Sequence, residues 1–139
     1  MLTRRRERGS SLMLMPAAVL VFVILAAICV DFAAVHLGQR ELTIAAQGAV
    51  NDAVAVGFDE DHFYRTGEDR LDDGAARTAA SESLARNAPG ADVLRLVATE
   101  DDRLEIEVAL EVDTIFAKAV PGGPRTIRVT ATASADLAG

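Results

Sequence analysis

The chain has no Trp, a single Tyr (Tyr64) and five Phe in 139 residues, so stacking platforms for bases or sugars have almost nothing to be built from. Its one cysteine, Cys29, excludes an internal disulfide and a cysteine-based zinc site, and any domain must be held by packing alone. Two histidines, His36 and His62, stand far apart, and neither has a second histidine at helical spacing with which to hold a metal. No phosphate loop, G-x-S-x-G, H-E-x-x-H or dinucleotide fingerprint occurs. No catalytic, cofactor-binding or metal-binding residue is nominated, and the chain is read as a non-enzyme without a cofactor.

Charge is missing in one place above all. Residues 11–30, SLMLMPAAVLVFVILAAICV, carry none. Twenty helical residues span roughly 30 Å, the thickness of a bilayer's hydrocarbon core. The first 30 residues hold Arg4, Arg5, Arg6 and Arg8 against Glu7, a sum of +3; with −7 overall, the rest carries −10. A basic tip before an apolar run predicts a cytoplasmic N-terminus and an acidic part on the far side, a single-pass protein of the cell membrane with an extracytoplasmic C-terminal domain. An acidic domain also argues against nucleic acid. A secretory signal shares the basic start, and "AAICVDFAA" offers small residues for cleavage, but the apolar run exceeds the usual 7–15 residues. An uncleaved anchor containing Leu12, Pro16 and Val30 is therefore expected.

Asp31 ends the run. It reads either as a boundary acid among the headgroups, where a charge costs little, or as a contact to a basic group on a neighbouring membrane protein. Beyond it, FAAVHLGQRELTIAAQGAVNDAVAVG contains good helix formers and no proline, so one helix is expected to continue to residue 57. Counting by four gives Leu37, Glu41, Ala45, Ala49, Ala53 and Gly57, a line of mostly small residues. Such a line serves two uses, covering the protein's own sheet or letting another helix come close.

The remainder divides again. Residues 58–74, FDEDHFYRTGEDRLDDG, hold seven acids without the spacing of a calcium loop, and read as a solvated connection. Residues 75–88 form a short helix with Ala76, Ala79, Ala80, Leu84 and Ala88 on one face, capped by Asp72 or Asp73 and stopped by Pro89-Gly90. Then the period changes to two. DVLRLVAT (92–99) and RLEIEVALEVD (103–113) form a hairpin, and 125–137 a third strand. Glu105, Glu107 and Glu111 fall on the wet face, and IFAKAVPGGP connects the last two strands through turn chemistry. A bare three-stranded sheet is marginal, so the two helices must cover it. The expected fold is α+β: a basic tip (1–10), a transmembrane helix (11–31), its continuation outside (32–57), an acidic loop (58–74) and a small α+β domain (75–139).

RERGSSLMLMPAAVLVFVILAAICVDFAAVHLGQRELTIAAQGAVNDAVAVG resembles the N-terminal segment of TadE/TadG-like proteins of tight-adherence (Flp) pilus assembly. The features that carry the resemblance are Arg8-Gly9, Pro16, Asp31, Arg40, Leu42 and the alanine-rich stretch 45–53, over residues 4–57. The resemblance implies a membrane-anchored structural or accessory component of such a pilus or a related secretion assembly, with a pilin-like plan. Its partners would be the membrane and other assembly proteins, with a homo-oligomer left open, and its interaction candidates Asp31, Arg40, Ala45, Ala49 and Ala53. Type IV-like prepilins have Glu five residues beyond the cleavage glycine; here that place holds Leu14, which implies an unprocessed component. The competing class is a membrane-tethered binding module that holds a protein partner or small ligand through the outer sheet and its loops.

Overall fold

A computed structural model of the chain describes residues 10–57, 72–99 and 103–136. Residues 1–9 of the basic tip, Gly9 among them, the acidic segment 58–71 with His62, the link 100–102 and the last three residues lie outside the described residues. The architecture is α+β, with a long N-terminal apolar helix, a short second helix and a three-stranded antiparallel sheet.

Helix α1 runs unbroken over Ser10–Gly57, 48 residues, or about 72 Å at 1.5 Å per residue. Pro16 stands inside it and removes one backbone donor, yet the helix continues. Between residues 14 and 30 almost every side chain is exposed, Pro16 and Val30 included, and Leu12 lies on the same helix. This is a helix long and apolar enough to cross a membrane. From Asp31 onward the same helix acquires a covered side. Val35, Gly38, Leu42, Ala45, Ala46, Ala49, Val50 and Ala53 recur at steps of three and four, one face of a 3.6-residue period.

Helix α2 (Asp73–Asn87) begins where α1 ends, since the Asp72 N–H donates to the Gly57 carbonyl at 2.7 Å. Of the two acids able to cap it, Asp72 does so: its Oδ1 accepts from the N–H groups of Gly74 (2.8 Å) and Ala75 (3.1 Å). Ala76, Ala80, Ser83 and Leu84 are buried, and small side chains on both helices let α2 lie close to α1. Gly90, at φ 88°, turns the chain into the sheet in a conformation that glycine adopts without strain.

The sheet is a meander, β1 (Asp92–Thr99), β2 (Arg103–Asp113) and β3 (Thr126–Asp136), in the order β1-β2-β3. Alternation in β2 fixes its inner face: Leu104, Ile106 and Val108 are buried, with Leu110 and Val112 partly so. Opposite them on β3 stand Ala135, Ala133, Ala131, Val129 and Ile127. The alanines make that side of the sheet shallow, and α1 fills the space. In β1 the pairing shifts between Val93 and Arg95, so Leu94 is the extra residue of a bulge. That shift places Val93 and Leu96, three residues apart, against the same core.

Candidate functional site

Sequence position alone makes Asp31 the acid that follows an apolar run. The structure gives it a different place. Counting back from Leu42 along the covered stripe gives Gly38, Val35 and Asp31, so its side chain leaves α1 on the side that faces the domain. There it meets the connection between β2 and β3. Asp31 Oδ1 accepts the N–H groups of Ile115 (2.6 Å) and Phe116 (2.9 Å), and Oδ2 accepts that of Ala117 (2.6 Å).

Those three donors open a 3-10 helix, Ala117–Ala119, whose N-cap residue, Phe116, makes no side-chain capping bond of its own. Helix starts leave backbone N–H groups without internal partners. Asp31 supplies the missing acceptors from another element. An ionised carboxylate fits this position because it is acceptor-only, and hydrogen bonds to a charged acceptor are among the stronger ones. Neither expectation for Asp31, a bare boundary marker or a contact to another protein, included this bond to the chain's own loop.

The connection is braced from within as well. Thr114 is fully buried; its Oγ1 donates toward the carbonyls of Pro124 (2.7 Å) and Arg125 (3.1 Å), and its N–H donates to Arg125 at 2.9 Å. Gly122 takes φ 80°, and Gly123 donates its N–H to Val120 at 2.8 Å. A Cβ at Gly123 would run into the Ala117 carbonyl, so this turn requires the glycine. The stretch read from sequence as a loop is thus a closed structure, pinned at one end by Thr114 and against α1 by Asp31.

Further up α1, Gln39 Nε2 donates to the Thr130 carbonyl at 2.6 Å and Gln47 Nε2 to the Ser134 carbonyl at 3.2 Å. Both acceptors lie on β3, an edge strand. An uncovered edge invites pairing with other strands, and here α1 lies along it. Together with Asp31, these contacts order the domain along the helix: the β2–β3 connection at residue 31, Thr130 at 39 and Ser134 at 47.

The remaining interaction candidates separate. Ala45, Ala49 and Ala53 are buried in the chain's own core, against α2 and the sheet. Counting by four advances 40° around a helix at each step, so the line that starts at exposed Leu37 and Glu41 drifts into the covered face by Ala45. Arg40 stays exposed on the opposite side, between Leu37 (57% exposed) and Ile44 (64%). Gly48 follows on the same side, with nothing within 4 Å of where its Cβ would be.

The outer face of the sheet is polar and cross-paired. Arg95 stands opposite Glu107, Arg128 opposite Glu111, and Arg103 bonds Asp136 at 2.6 Å. A shallow hollow of about 320 Å³ lies at one end of it, lined by Gly90, Asp92, Ala109, Leu110, Glu111 and Arg128.

Neither the glutamine contacts nor the Asp31 cap is among the expectations that the sequence raises. Asp31 had a usable signal, its phase with the stripe that begins at Leu42. The loop's own sequence, which offers ordinary turn residues, does not name the acceptor. No protein-family model, no curated protein sequence and no solved structure matches the chain.

Proposed function

We propose that this protein is a membrane-anchored, non-enzymatic structural or accessory component of a tight-adherence-type pilus or a related secretion assembly. In this reading residues 11–30 cross the membrane with the N-terminus in the cytoplasm, and the α+β domain stands outside. The pilus reading rests on the resemblance of residues 4–57. The observation that carries the anchored spine is the bond from Asp31 to the β2–β3 connection.

That bond bears on the choice between anchor and signal. Cleavage among the small residues around 33–34 would remove Asp31 and leave three N–H groups of the connection without their acceptor. An uncleaved span keeps it. The helix-to-helix contact of the proposal uses the open side of α1, where Leu37, Arg40 and Ile44 are exposed and nothing lies within 4 Å of a Cβ placed at Gly48. The alanine row is already taken by the chain's own domain.

Two measurements in the native host test the proposal. Intact mass of the protein from the membrane fraction should equal that of the uncleaved chain; a product starting near Ala33–Ala34 and found outside the membrane overturns the anchor. A photo-crosslinking residue at Ile44 should capture a pilus or secretion assembly protein, and deletion of the gene should reduce surface pili. Normal pili in the deletion strain would reject the assembly role.

A further inference from the structure

The contacts along α1 fix which end of the domain lies nearest the apolar half of the helix. Ser134 is level with Gln47, Thr130 with Gln39, Val112 with Gly38, and the 115–117 backbone with Asp31. The β2–β3 connection is therefore the lowest part of the domain, at the level where the uncharged run stops.

This same connection exposes apolar side chains: Ile115 at 50%, Phe116 at 46% and Val120 at 60%. Phe32, also exposed, lies beside it in level on α1. The connection's own charged side chains are basic, beside the Asp31 carboxylate bonded to its backbone. Between residues 114 and 125 there are Lys118 and Arg125 and no acid, although the chain beyond residue 30 carries a large negative excess. Apolar side chains with basic neighbours at one level are what the boundary between acyl chains and anionic headgroups accommodates.

We infer that the β2–β3 connection is a second membrane contact, with Ile115, Phe116 and Val120 seated in the headgroup–acyl boundary and Lys118 and Arg125 meeting lipid phosphates. The inference rests on the reading of residues 11–30 as a span, because the same bilayer supplies the occupant. Asp31 then has a specific task. It ties the loop's backbone to α1 at the level where the span emerges, so that the apolar side chains are delivered at headgroup depth. The domain is held at two points, by the span and by the loop beside it.

The test uses the full-length chain with Cys29→Ala, reconstituted in phosphatidylcholine–phosphatidylglycerol vesicles. Single cysteines replace Phe116, Val120, Ile24 or Thr132 and carry an environment-sensitive fluorophore. Quenching is measured with a nitroxide attached to the lipid acyl chain and with a water-soluble quencher. The expected result is blue-shifted emission and preferential lipid quenching at 116 and 120, as at 24, with preferential water quenching at 132. If label 24 is lipid-quenched while 116 and 120 behave like 132, the loop contact is rejected and the span stands. If label 24 is itself water-quenched, the span reading falls and the inference with it. Shielding of 116 and 120 from both quenchers would mean a protein contact, which also overturns it.

Discussion

Asp31 Oδ2 accepts the Ala117 N–H at 2.6 Å across 86 positions of chain, and so joins the end of the apolar run to the connection between the last two strands. Few single side chains could do this. The position needs an acceptor with two oxygens, reaching three N–H groups at once.

Removing the carboxylate should loosen the connection and leave the helices in place. In Asp31→Ala, amide hydrogen exchange at Ile115, Phe116 and Ala117 should accelerate relative to wild type. Asp31→Asn keeps one oxygen and turns an NH₂ group toward a donor, and should fall between the two. Equal exchange in all three proteins would show that the bond does not hold the loop.

Two glycines of α1 should respond to alanine with opposite signs. A Cβ at Gly38 would meet Val112 Cγ2 at 2.5 Å, and valine has little rotamer freedom with which to move away. Gly38→Ala should therefore lower stability, by about 1–3 kcal/mol of overpacking, which exceeds the gain in helix propensity. Gly48 has open space, and Gly48→Ala should stabilise by about 0.8–1.0 kcal/mol. Thermal unfolding of both variants in the same detergent, followed by circular dichroism, checks the pair. A change of the same sign in both would contradict the packing described for α1 and β2.

Ala49 has no exposed surface, between α1's neighbours Ala45 and Ala53 on the same buried stripe. Ala49→Leu should destabilise the domain by about 1–3 kcal/mol. Ile44→Ala, on the open side, should leave unfolding nearly unchanged while weakening any association through that side. Denaturant titration separates the two effects; equal unfolding midpoints for Ala49→Leu and wild type would place this face in solvent.

Thr114→Val keeps the shape and removes the hydroxyl. The Pro124 carbonyl loses its protein donor at the edge of the connection, where water can reach the exposed Pro124, so the cost should be that of one ordinary hydrogen bond, about 0.5–1.5 kcal/mol. Retained stability, read by the same unfolding experiment, would show that the backbone bond from Thr114 to Arg125 is enough to close the base of the connection.

Most of the fold is legible because its elements differ in period. Leu104, Ile106 and Val108 alternate with charged residues and could only be one face of a strand, and the alanine-rich run to Gly57 had no breaker. The bulge at Leu94 was not legible, since DVLRLVAT reads equally well as a regular strand. The site was legible in part. Asp31 stands out as the first acid after an uncharged run, but its partners are backbone N–H groups, and a backbone donor leaves no mark in a sequence. Gln39 and Gln47 were hidden for the same reason, because carbonyls of an edge strand have no residue signature.

There is no joint in α1. From Asp31 to Gly57 the rod extends about 40 Å, so a tilt of about 10° at Asp31 carries its far end sideways by about 7 Å. The sheet is fastened along this rod at three levels, by Asp31, Gln39 and Gln47, and has to travel with it. A lean of the lower half is thereby passed to the upper half, as by a lever.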